Sequence, residues 1–222
     1  MAPRLRPGRF FFRMSEPQSP TPRELAIAIH SAAVGGVDPR SATRDAVSAR
    51  LTSASSPVWI IALGKASTAM AEAAVDVLRD HRMEPEGGVI VGPEPVPSPH
   101  ARLVSVAGDH PVPSTGSHQA SELVAQITDR IRGTGTAFVL LSGGATSLIA
   151  APVSGVAERD LSWMFEQLLI SGADITVMNA VRKRFTRWGA GRLAKALAPA
   201  RVHCLIVSDV VGDDIPSIAS GP

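Results

Sequence analysis

Residues 57–67 read Pro57-Val58-Trp59-Ile60-Ile61-Ala62-Leu63-Gly64-Lys65-Ala66-Ser67. The run 57–63 is apolar without alternation, the pattern of a strand covered on both faces. Gly64 breaks it, and Met70, Ala73, Ala74, Val77 and Leu78 then recur at helical spacing over 66–80. Strand, tight turn and helix in that order open a βαβ unit. Two further apolar runs of strand length lie at 136–141 (TAFVLL) and 202–207 (VHCLIV). Shorter strand candidates at 89–91 and 103–106 flank the loop GPEPVPSPH.

Helices are expected between these strands. Ala120, Leu123, Val124, Ile127 and Ile131 mark one, and the patterns at 161–170 and 175–185 mark two more. Upstream, Thr21, Pro22 and Glu24 make a capping box with proline in the first turn. Gly35-Gly36 ends that helix, and Asp38-Pro39 opens another reaching about Leu51. Strands alternating with helices specify a parallel sheet with right-handed crossovers. The expected fold is α/β: a three-layer α/β/α sandwich with a mostly parallel, Rossmann-like sheet.

Composition sets bounds on partners. Of 222 residues 45% are hydrophobic and 19% charged, with aromatics only 4% and no tyrosine, so the core must be aliphatic. Arg4, Arg6, Arg9 and Arg13 lie in the first fourteen residues; removing their charges from the net +2 leaves the remainder at −2. A basic nucleic-acid-binding body is therefore not indicated. The uncharged stretch 133–157 contains Gly143, Gly144 and Pro152, and its apolar centre is a strand, so no membrane span is expected. A single cysteine, Cys204, permits no internal disulfide, and a reducing, cytoplasmic setting is the default. The segment 1–20 reads as a disordered leader in which Met14 is the expected true start, with 21–222 as the folded domain.

In open α/β sheets ligands bind beyond the C-terminal ends of the strands. Three such ends carry unusual residues. After 57–63 come Gly64, Lys65 and Ser67, where glycine admits close approach and a helix N-terminus offers free N–H groups to an anion. A lysine at that end opposes the helix dipole, a conflict that an anion resolves. The turn is not a Walker A loop, because Trp59 stands where its first glycine belongs. After 136–141 come Ser142, Gly143, Gly144, Thr146 and Ser147, a nest for phosphate or carboxylate. After 202–207 come Asp209, Asp213 and Asp214, carboxylates suited to Mg²⁺ or to a substrate hydroxyl, and equally common as turn residues.

Asn179, Arg182 and Lys183, three and four apart, share a helix face able to reach an anion; Arg184 and Arg187 extend the cationic run. In Asp109-His110-Pro111-Val112-Pro113 the prolines fix a rigid turn, and His110 is either a ligand group or a structural histidine.

In order, the segments GKAS (64–67), GDHPVP (108–113), LLSGGATSLIAAP (140–152), SGADITVMNAVRKRFTRWGAGRLA (171–194) and SDVVGDDIPSIASGP (208–222) resemble bacterial and animal glycerate kinases. These pair an N-terminal domain of formerly unknown function, DUF4147, with a C-terminal MOFRL domain. The likeness covers nearly everything after residue 21. Where the family often has three glycines in its loop, this chain has Gly143, Gly144 and then Ala145. The resemblance implies ATP- and Mg²⁺-dependent phosphorylation of D-glycerate to 2-phosphoglycerate in a cleft between two domains. It implies Lys65 and Asp209 as catalytic groups, with Asp213 and Asp214 at the metal. Gly64, Ser67, the 142–147 loop, Asn179, Arg182 and Lys183 would hold phosphate or glycerate. Lys65 would neutralise either the transferred phosphate or the glycerate carboxylate. Since the family's MOFRL domain is absent from the sequence, this stretch alone is expected to be inactive. A non-catalytic phosphometabolite-binding module and a phosphosugar isomerase-like domain are the competing readings, the latter leaving the aspartates unexplained. The oligomeric state, a homodimer included, stays open.

Overall fold

The computed structural model describes residues 19–222 apart from 55, 132, 134, 211, 216, 217 and 222. All but the last two residues of the expected leader therefore lie outside the described residues. The chain forms two compact units, Met1–Asp38 and Pro39–Pro222. In the first, α1 (Pro22–Gly36) starts at the anticipated capping box: Glu24 N–H donates to Thr21 Oγ1, and Thr21 N–H donates to Glu24 Oε2.

The second unit is built on a five-stranded sheet. Its strands are β1 (Val58–Leu63), β2 (Gly87–Gly92), β3 (Leu103–Ala107), β4 (Thr136–Ser142) and β5 (Arg201–Val207). Their spatial order is β3-β2-β1-β4-β5, and every neighbouring pair is parallel. Helices α2 (Pro39–Leu51), α3 (Ser67–Asp80), α4 (Thr115–Ile131), α5 (Ala145–Leu148), α6 (Glu158–Ile170), α7 (Ile175–Phe185) and α8 (Arg192–Leu197) complete it. Parallel strands need a crossover, usually a helix. The β2–β3 pair departs from this rule, since the connection 93–102 holds no helix.

Alternate residues of the central strands serve opposite layers. Trp59, Ile61, Leu63, Val139 and Leu141 pack with α4, α5 and α8; Ile60, Ala62, Phe138 and Leu140 pack with α2 and α3. β1, β2 and β4 are buried along their whole length. Full burial of each large aliphatic side chain contributes about 1.5–3 kcal/mol, which explains why the uninterrupted apolar runs mark the sheet's centre. The sandwich is the one expected. Two short helices were not legible: α5 and α8 are too brief to show a period.

The topology fixes where a ligand can enter. Chain order reverses between β1 and β4, so the crevice opens at their C-terminal ends. In register Leu63 stands beside Leu141, and the turns beginning at Gly64 and Ser142 are therefore neighbours.

Candidate functional site

The corner where β1 and β4 end is held by backbone. Lys65 N–H donates to the Gly143 carbonyl at 2.9 Å, and Ala66 N–H donates to Ser142 Oγ at 3.0 Å. Gly64 has φ +119°, and a Cβ there would lie 2.5 Å from the Ser142 carbonyl oxygen. Only glycine lets the two turns approach so closely. Ser142 is buried, and Gly64 and Ser142 thus build the corner rather than line its mouth. Ser67 is also buried at the start of α3, its Oγ facing Gly92 and lacking a hydrogen-bond partner among the described residues.

Above the corner lies a cleft of about 510 Å³. Lys65, Gly143, Gly144, Thr146, Ser147, Asn179, Arg182 and Asp209 all line it. The turns following β1, β4 and β5 therefore converge on one rim. Asp209 rests against the nest: a Cβ on Gly143 would come within 2.0 Å of its Oδ2. Lys65 approaches from the other side, its Cε 3.3 Å from where a Gly144 Cβ would stand. Thr146 Oγ1 meets Ser220 Oγ at 2.9 Å, tying the nest to the chain's last turn.

The family model described as a domain of unknown function, DUF4147, matches residues 25–222. The chain belongs to this family. Glycerate 2-kinase of Pyrococcus horikoshii is 33% identical over 209 residues, a match covering 90% of this chain and 46% of that protein. A protein of Agrobacterium vitis provisionally named hydroxypyruvate reductase is 39% identical, over 73% of this chain and 42% of its own length. Among solved structures, glycerate kinase from Thermotoga maritima superposes with a TM-score of 0.79 at 33% identity, covering 90% of this chain and 47% of that one. This DUF4147 chain thus spans less than half the length of those relatives.

The other expected residues of the DUF4147 domain lie elsewhere. Asp213 and Asp214 are exposed and do not line the cleft, and Asp213 sits at φ +51°. Lys183 also lies outside the lining; its carbonyl accepts from Arg192. The cationic run divides likewise, for Arg187 pairs with Glu122 at 2.6 Å while Arg184 is exposed. Helix geometry makes this division: Thr176, Asn179 and Arg182 follow at three-residue steps along one face.

Two groups gained weight only from the fold. His110 lines the cleft and stands 3.2 Å from a Gly144 Cβ. Its pKa is lowered by burial, then by the nearby charges of Lys65 and Arg182. The residue before it anchors its loop: Asp109 accepts from Ser117 N–H at 2.9 Å, at the start of α4. Burial would raise the Asp109 pKa, but hydrogen bonds from Ser114, Ser117 and Gly116 outweigh it and hold the group low. The second is the turn Ile218–Ser220, which brings Ala219 to the cleft wall through a positive φ of 50°. The sequence left His110 open between a ligand group and a structural histidine, and it gave no sign of Ala219.

For Mg²⁺, the described residues hold no group of three or more metal-ligating side chains. Mg²⁺ is commonly bound through one or two carboxylates, waters and substrate phosphates. Asp209 beside an anion nest fits that mode. No described helix is long and apolar enough to cross a membrane.

Proposed function

We propose that this domain supplies the glycerate- and phosphate-binding half of a glycerate 2-kinase, which transfers a phosphoryl group from ATP to D-glycerate and yields 2-phosphoglycerate. The observation that carries the reading is the convergence of Lys65, the Gly143–Gly144 nest and Asp209 on one cleft at the switch point. Phosphoryl transfer demands positioning and charge neutralisation more than covalent chemistry. Lys65 contributes a mobile point charge, and the nest offers backbone N–H groups to phosphate oxygens. Asp209 orients the glycerate hydroxyl and accepts its proton, or would be the residue to hold a bound Mg²⁺. A bound Mg²⁺ would screen charge between phosphate oxygens. Asp213 and Asp214, being outside the cleft, are assigned no role in the transfer.

In this reading turnover requires the remaining length found in the relatives, which closes the cleft from the other side. The protein acts as a soluble cytoplasmic enzyme. The name borne by the Agrobacterium relative would call for a nicotinamide. The turn after β1 argues against it, since Gly64-Lys65-Ala66-Ser67-Thr68-Ala69 keeps only the first glycine of a dinucleotide fingerprint. A non-catalytic phosphometabolite-binding module is the second reading, since the same lysine and paired glycines could hold an anion without transferring it.

Two measurements test the proposal. Calorimetry on the 222-residue chain should show D-glycerate binding that Lys65→Ala weakens at least about tenfold. The chain joined to the C-terminal half of the Thermotoga relative should release ADP only when D-glycerate is present, and Lys65→Ala should cut that rate about a hundredfold. Wild-type kcat/KM in the variant removes Lys65 from the mechanism. Binding without any turnover in the joined protein selects the binding-module reading.

A further inference from the structure

Of the two cations lining the cleft, Arg182 is by far the more deeply placed, at 7% exposure. A buried guanidinium ordinarily sits opposite a carboxylate, because uncompensated burial of charge is costly. Arg182 has none. Its Nε and Nη2 lack hydrogen-bond partners among the described residues, and burial alone lowers its pKa. Both atoms are shut off from solvent, so the guanidinium reaches the cleft wall with its charge uncompensated.

What holds the guanidinium is an aromatic ring. Phe165 of α6 is fully buried, and the Arg182 Cζ lies 4.6 Å from its ring centroid. The ring is fixed in turn by Ala150 and Leu161, with Val112, Val156 and Met164 around them. Stacking on a ring steadies a guanidinium without consuming its N–H groups or cancelling its charge. An acidic partner would do both.

We propose that Phe165 is a positioning residue that holds the Arg182 guanidinium at the cleft wall, where its uncompensated charge receives the substrate carboxylate. This rests on reading the cleft as a glycerate site. D-Glycerate presents a carboxylate at one end and the hydroxyl to be phosphorylated beside it. The phosphoryl group belongs at the nest, next to the point charge of Lys65. The guanidinium on α7 is left for the carboxylate. Such an arrangement makes the domain selective for 2-hydroxy acids over alcohols that lack the carboxylate.

The test is calorimetry and thermal melting on the 222-residue chain, with D-glycerate, glycerol and inorganic phosphate as probes. Phe165→Leu should weaken D-glycerate about tenfold while leaving phosphate within about twofold, and Phe165→Tyr should restore most of the loss. Arg182→Met should abolish D-glycerate binding with Tm unchanged or raised, since an unpaired buried charge has been removed. A purely structural arginine would lower Tm instead. Wild-type D-glycerate affinity in Phe165→Leu overturns the proposal, as does equal weakening of D-glycerate and phosphate. If Phe165→Leu does not fold, Arg182→Met decides: wild-type D-glycerate affinity there overturns it. Failure of this inference is separable from failure of the kinase reading. The latter fails alone if these variants behave as stated and Lys65→Ala leaves turnover intact in the joined protein.

Discussion

Arginines on two parts of the sandwich live under opposite rules. On the α2–α3 face, Arg40 pairs with Glu72 and with Asp76, the latter at 2.6 Å, and Arg44 pairs with Asp80. All of these side chains are substantially exposed to water. At the cleft, Arg182 is buried against Phe165 and Lys65 forms no ion pair among the described residues. An exposed, paired arginine is electrostatically satisfied and contributes little. A buried, unpaired one is held at a cost that the contact with Phe165 offsets only in part, and such costs collect where a ligand completes the charge. Position relative to an acid, more than the count of positive residues, separates scaffold from site.

The sharpest test of the cleft side is Gly143→Ala. The new methyl would fall on the Asp209 carboxylate, which can swing away but not remain. Turnover in the joined enzyme should drop about a hundredfold, as for loss of a general base. Stability, read by denaturant melting, should fall by no more than about 2 kcal/mol. An unaltered rate would detach Asp209 from the chemistry.

Next in size is Ser142→Ala. The Ser142 hydroxyl accepts from Ala66 N–H inside the corner, so its removal leaves a largely buried donor unpaired. A loss of about 1–2 kcal/mol is expected, with D-glycerate affinity changed less than about threefold. A large affinity loss at unchanged stability would move Ser142 from the corner into the site.

His110 offers a pH-dependent version. Its folded pKa is depressed by burial and by Lys65 and Arg182, so the unfolded chain takes up the proton first as pH falls. Wild type should therefore lose stability relative to His110→Gln between about pH 7 and 5, where an ordinary imidazole titrates. Saturating D-glycerate should shrink that difference by countering the two cations. A pH-independent gap would place His110 outside their field.

The smallest effect belongs to the opposite face. Arg44→Ala should cost no more than about 0.5 kcal/mol and leave D-glycerate binding alone. A loss as large as that of Ser142→Ala would erase the contrast between the two regions.

Much of this was legible in the chain. The runs at 57–63, 136–141 and 202–207 named the strands because full burial on both faces leaves no room for polar alternation. Lys65, the paired glycines and Asp209 were legible as strand-end residues, since parallel sheets present ligands there. Asp213, Asp214 and Lys183 looked equivalent to their neighbours in sequence and are not. Of the three aspartates after β5 only Asp209 lines the cleft, and helical pitch brings Arg182 to it while Lys183 lies outside the lining. Phe165 gave no signal at all, being one apolar residue among several on α6.

Local composition and period alone determined the layers, the strands and the three turns that carry chemistry, because burial and turn geometry act over a few residues. The order β3-β2-β1-β4-β5, the meeting of Asp209 with Gly143, and the lodging of Arg182 on Phe165 were decided only by the folded chain. Each joins residues far apart in sequence, and pairing over such distances depends on which surfaces the layers bring together.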